Sequence, residues 1–172
     1  MPTGSGAIRA LTGVVQDAVV KVASDRLEAV YREDGPRLWR ALVAYAADPD
    51  LASDALAEAF AQAIARGDAI RDPAAWVWRV AFRVAAGDLK ERRRHGQMTA
   101  EPSYELPEPL THVFEALRKL SPSQRLAVVL HDYADRTTDE IASVLGATRA
   151  TVHVHLSQGR RRLRRLLEDD DG

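Results

Sequence analysis

The sequence predicts an all-α protein of two small helical domains joined by a proline-containing linker. Three observations carry this. Alanine, leucine, valine and arginine dominate a chain of 172 residues that is 46% hydrophobic and 28% charged, a composition that favours helix. Apolar residues recur three and four apart, and the one alternating stretch, "TVHVHL", runs straight into an arginine-rich helical pattern. Residues 95–109, "HGQMTAEPSYELPEP", hold three prolines, one glycine and three glutamates with little periodicity, which marks a semi-extended connection. The expected division is an N-terminal extension over 1–23, a first domain over 24–94, the linker over 95–109, a second domain over 110–168 and an acidic tail over 169–172.

The elements follow in order. Ile8, Leu11, Val15, Val19 and Val22 recur at helical spacing, so 7–23 is expected to form an amphipathic helix packed as a terminal arm. Ser24 or Asp25 starts a second helix, and Gly35-Pro36 marks a break or kink in it. "RLWRALVAYAA" carries on to Asp48-Pro49-Asp50. "LASDALAEAFAQAIARG" is a third helix that stops at Gly67, with Leu56, Phe60, Ala63 and Ile64 along one face. Asp72-Pro73 opens a fourth, "AAWVWRVAFRVAAGDLKERRR". Beyond the linker, "LTHVFEALRKL" is helical, and Ser121-Pro122 gives a cap followed by proline in the first turn.

The stretch "TTDEIASVLGATRATVHVHL" reads as two short helices meeting at a glycine. Thr138 can cap the first, with Ile141 and Leu145 on its buried side and Ala142 permitting a close crossing. Gly146 can adopt the left-handed conformation that a tight corner needs. Thr148 caps the second helix, whose Val152 and Leu156 point inward, leaving Arg149, Thr151, His153, His155 and Gln158 among the outer positions. This is the pattern of a helix-turn-helix, whose second helix enters the major groove. Arginine can fork onto guanine or phosphate, and threonine can reach phosphate or a base edge. Arg161 and Arg162 sit in the basic exit "RRRLRR".

The formal net charge is −1, yet its distribution is uneven. Between Thr138 and Leu167 six arginines face only Asp139 and Glu140, and the acids Glu168 to Asp171 follow at once. Salt screens charges beyond about 10 Å at ~0.1 M, so the local basic block governs contact with DNA. There is no cysteine, which suits a reducing cytoplasm and excludes thiolate metal sites. The N-terminal stretch is cut by Gln16, Asp17 and Lys21, so neither a signal peptide nor membrane insertion is expected.

On these residues the chain resembles the extracytoplasmic-function group of bacterial sigma factors, short two-domain members of the sigma-70 family. "LRKLSPSQRLAVVLHDYADRTTDEIASVLGATRATVHVHLSQGRRRLRR" is similar to region 4, with "EIA", "LG" and "TV" in order. "VYREDGPRLWRALVAYAADPDLASDALAEAF" looks like the start of region 2, and "DPAAWVWRVAFRVAAGDLKERRR" like its promoter-melting end. The resemblance implies core RNA polymerase and promoter DNA as partners, with an anti-sigma factor as a further candidate. It implies polymerase contact at Asp54 and Glu58, which share a helix face. Trp78, Arg79, Arg83, Lys90, Arg92 and Arg93 are the candidates for the melted strand and its phosphates, since aromatic and guanidinium planes stack on unpaired bases. Trp76 and Asp88 are assigned to structure. The chain departs from the family at Ala57, at Phe82-Arg83 and at His153-Val154-His155.

A plain helix-turn-helix regulator needs neither the Asp54/Glu58 face nor the Trp78–Arg94 helix; a degenerate sigma-like interaction module would keep the fold. An enzyme is not expected. His153 and His155 point about 200° apart on a helix, and His131 with Asp135 lacks a third ligand. There is no glycine-rich phosphate loop or nucleophile elbow, so no metal or cofactor is expected.

Overall fold

The computed structural model describes the backbone of residues 5–96 and 108–170, and the side chains of 21–96 and 111–168. Most of the expected linker, with Glu101 and Glu105, and the end of the acidic tail lie outside those residues. The described chain forms α1 (Ser5–Ala46), α2 (Pro49–Arg66), α3 (Pro73–Arg94), α4 (Glu108–Arg118), α5 (Pro122–Val128), α6 (Thr138–Leu145) and α7 (Arg149–Asp170). A 3-10 turn, Gly67–Ala69, follows α2, and a π-helical turn, Val129–Tyr133, follows α5. No strand occurs among the described residues.

Two expectations about the N-terminal half need correction. The arm over 7–23 and the helix expected after Ser24 are one continuous helix of 42 residues, and Gly35-Pro36 does not break it. Proline removes one backbone donor and crowds the preceding turn. Here Pro36 lies on the exposed side, where water can serve the freed carbonyl, while Leu27, Leu38, Ala41, Leu42 and Tyr45 are buried along the other side. Burying the three leucines stabilises by about 1.5–3 kcal/mol each, which outweighs the local cost of one proline.

The signals that terminate and start the other helices act as the sequence suggests. Asp48 caps α2 by accepting from the amides of Asp50 and Leu51, and Asp72 caps α3 through the amide of Ala75. Gly67 closes α2 at φ 56°. Ser121 and Gln124 form a reciprocal capping box at α5, with Pro122 inside it. On α2, Ala63 is buried and Leu56 and Phe60 are half-buried, but Ile64 turns outward and is 68% exposed.

Helices α1, α2 and α3 pack mutually into a first unit, and α5, α6 and α7 with α4 make the second. The units touch through α3 against α6 and α1 against the π-helical turn. Their buried residues form one continuous cluster, from Leu38, Leu42 and Phe82 to Leu126, Ile141 and Val152. Polar contacts reinforce the seam: Arg37 donates to the Tyr133 carbonyl at 2.7 Å and pairs with Asp135 at 2.6 Å. Arg40 Nε donates to the Tyr133 hydroxyl at 3.1 Å.

Candidate nucleic-acid interface

The corner between α6 and α7 is built by its caps. The cap of α6 is Thr137, one residue before the expected Thr138: its hydroxyl accepts from the Glu140 amide, and the Glu140 carboxylate accepts from the Thr137 amide. The threonine-glutamate pair three residues apart was the available signal for this. Gly146 takes the left-handed conformation at φ 64°, ψ 36° and ends α6. Thr148 caps α7 through the Thr151 amide at 3.2 Å. Ile141 and Val152 are fully buried and Leu156 nearly so, which fixes the angle between the two helices.

The outer face of α7 follows from that buried stripe. Arg149, Thr151, His153, Gln158, Arg161 and Arg162 are exposed, as expected. His155 is only half-buried, and its Nδ1 is enclosed without a hydrogen-bond partner among the described residues; it is not a clean outward position. Val154, named from the sequence only as a departure from the family pattern, is 50% exposed on the same helix, where a branched methyl can meet a thymine methyl. Arg149 pairs with Asp139 of α6 at 3.2 Å, so the first arginine of the helix is tethered across the turn. Gln158 accepts from Gln124 at 3.2 Å. Arg160 does not project freely: Asp132 accepts from its Nε at 3.0 Å and again from its Nη2. That bond holds the Asp132 carboxyl below the usual carboxylate range despite partial burial, and His131 assists. Asp132 in turn raises the Arg160 guanidinium.

Gly159 has a packing role that the sequence did not reveal. It is buried where α7 crosses α5, and a Cβ there would lie 2.9 Å from Val128 Cγ2 and 3.3 Å from the Gln124 carbonyl. A glycine inside an uninterrupted helical pattern was the hint of close approach.

On α3 the expected strand-contacting face divides. Arg83, Lys90 and Arg93 are exposed. Trp78 corrects the expectation: it is 2% exposed, parallel to Phe82 at 6.2 Å and 6°, and covered by the Arg136 guanidinium 4.7 Å from its ring centroid. A buried indole cannot stack on a base in this arrangement. Arg79 is half-buried beside it with Nε unpartnered among the described residues. Trp76, expected to be core, is the more open ring and lies under Arg66 at 5.8 Å. Arg92 pairs with the α2 cap Asp48 and so helps tie α3 to α2.

Asp54 and Glu58 are exposed on α2, with Glu58 accepting from Gln62 at 2.7 Å. An open trough between α1 and α2 is lined by Tyr31, Trp39, Leu56, Ala57 and Phe60, and its charged members are Glu28, Arg32 and Arg40. Tyr31 stands edge-on to Phe60 at 5.2 Å and is 56% exposed. An exposed apolar trough of this kind is suited to the apolar side chains of a protein partner. No group of acids and histidines able to hold a metal occurs among the described residues. No helix among the described residues is long and apolar enough to cross a membrane.

Residues 113–163 match the family model "Sigma-70, region 4". The second unit is thus similar to sigma-70 region 4. The matched span takes in the whole helix-turn-helix and the start of the basic exit. Across the chain, the fold is that of solved sigma factors. RpoE from Bartonella quintana, solved with the anti-sigma factor NepR, superposes with a TM-score of 0.72 at 22% identity, covering 84% of this chain and 96% of that one. CnrH, solved with the cytosolic domain of CnrY, gives 0.67 at 21% identity, covering 89% and 97%. No curated protein matches the chain at a significant level. The chain therefore shares its overall fold with these sigma factors.

Proposed function

We propose that the chain is a sigma factor of the extracytoplasmic-function kind, which binds core RNA polymerase and directs it to promoters. One observation carries the reading: a region 4-like helix-turn-helix with an exposed basic face is built onto a three-helix unit that has its own exposed acids, Asp54 and Glu58, and an apolar trough. A DNA-binding regulator has no need of the second surface. Arg149, Thr151, His153, Gln158, Arg161 and Arg162 are assigned to the upstream promoter element, and Val154 joins them. Arg83, Lys90 and Arg93 are assigned to phosphates near the melted strand. Trp78 and Arg79 can reach that strand only when the seam between the units opens. Asp54 and Glu58, with the Tyr31–Phe60 trough, are assigned to polymerase. The 95–109 connection and the 1–23 segment keep their roles as linker and extension in this reading. An anti-sigma partner, action in the cytoplasm and the absence of a catalytic step complete it.

The docking assignment is tested by pull-down of purified core polymerase. The wild-type chain should retain polymerase, and D54R/E58R, which reverses two exposed charges, should lose it while keeping its helical circular dichroism. Polymerase retained equally by the double variant would remove this face from the assignment.

A further inference from the structure

A cavity of about 470 Å³ opens between the two units, away from the recognition helix. Its walls carry Arg92 and Arg93 from the end of α3 and Arg118, Lys119 and Arg125 from α4, α5 and the turn between them. The acids in the lining are Asp48 and Glu115. Asp48 is already engaged by Arg92 and by two amides of its own helix. Glu115 is exposed. Even without Arg92, which is given to Asp48, and without Arg118, the cations Arg93, Lys119 and Arg125 outweigh Glu115 among the described residues of the lining.

Arg125 makes the imbalance specific. It is 5% exposed, and its Nε is buried with no hydrogen-bond partner among the described residues. Its guanidinium lies 5.7 Å from the Tyr45 ring centroid, which serves its face but not that N–H. A buried donor left unmade costs about 1–3 kcal/mol, more on a charged group. Burial pushes its pKa down; Tyr45 opposes this, and the fields of Arg93 and Arg118 add to the depression. An anion in the cavity, whose lining includes Arg125, would relieve that repulsion.

We propose that this cavity is a binding site for an oligophosphate, bridging α3 of the first unit to α4 and α5 of the second. Several adjacent phosphate oxygens suit several guanidinium forks, which bind them in pairs. The volume falls within the range of small-molecule sites. Because the cations come from both units, the ligand stabilises their closed packing.

The test is calorimetric titration of the full chain with inorganic tripolyphosphate, alongside thermal melting. Saturable binding and a raised melting temperature are expected. R93Q/K119Q changes two exposed cavity cations and should weaken binding at least tenfold. R161Q/R164Q, on the exposed face of α7, should bind as wild type. No binding by the wild type would overturn the proposal, as would unchanged affinity in R93Q/K119Q or loss in R161Q/R164Q, which would place the polyanion on the recognition helix. A nucleoside triphosphate titrated in parallel distinguishes the source: tighter binding than tripolyphosphate assigns a nucleotide, equal binding the inorganic chain.

Discussion

Arg136 of the second unit lies over the indole of Trp78 in the first, 4.7 Å from the ring centroid. The contact joins the second unit to α3, and it covers one side of a ring that Phe82 also packs against. With Leu130 and Val144 nearby, the seam encloses that ring on the second-unit side. A cation over a desolvated aromatic face contributes about 1–2 kcal/mol. R136A should therefore lower stability by about that amount in urea denaturation and make tryptophan fluorescence more sensitive to acrylamide. Unchanged quenching would mean that Arg136 does not control access to Trp78.

Arg149 and Asp139 give opposed expectations. Their pair is exposed on both sides, so it contributes about 0.2–1 kcal/mol, less than the about 1–3 kcal/mol of a bidentate contact to guanine. R149A should weaken upstream-element binding by the larger amount. D139N, by releasing the arginine and removing a negative charge, should tighten it up to about fivefold. Fluorescence anisotropy with a short duplex measures both; weaker binding by D139N would show that Asp139 positions the arginine rather than holding it back.

Gly159 and Gly87 are both helical, and the same substitution should act on them in opposite directions. At Gly87 a Cβ meets nothing within 4 Å, so G87A should gain up to about 1 kcal/mol of helix propensity. At Gly159 the new methyl presses on Val128, and overpacking of about 1–3 kcal/mol exceeds that gain. Chemical denaturation of the two variants checks the sign of each.

The Asp132–Arg160 pair predicts a pH dependence. The folded pKa of Asp132 is depressed, so its contribution is present above the unfolded value of about 3.9 and is lost as pH falls through the lower folded value. Both groups remain partly exposed, so screening keeps the effect near 0.2–1 kcal/mol. D132N should be less stable than wild type at neutral pH, and the difference should vanish in acid. A difference that persists below pH of about 2 would point to packing instead.

Much of this was legible from local chemistry. Ser121-Pro122, Asp72-Pro73, Gly67 and Gly146 stop or start helices through groups within a turn, and Ile141, Val152 and Leu156 follow helical period. What escaped depends on contacts distant in sequence. Trp76 and Trp78 sit two apart in an apolar stretch, and only the packing of Phe82 and Arg136 decides which is buried. Pro36 looked like a break because the core beneath it is assembled from other helices. Asp139 was visible as a charge but not as the partner of Arg149, and the Arg125 cavity exists only where two units meet.

The central claim is that this chain lets polymerase start at chosen promoters. Purified core RNA polymerase, incubated with the chain and a library of genomic templates, should yield discrete transcripts that are absent without it. R149A should reduce them, and D54R/E58R should abolish them. Polymerase that initiates at no defined site in the presence of the folded wild-type chain would contradict the account.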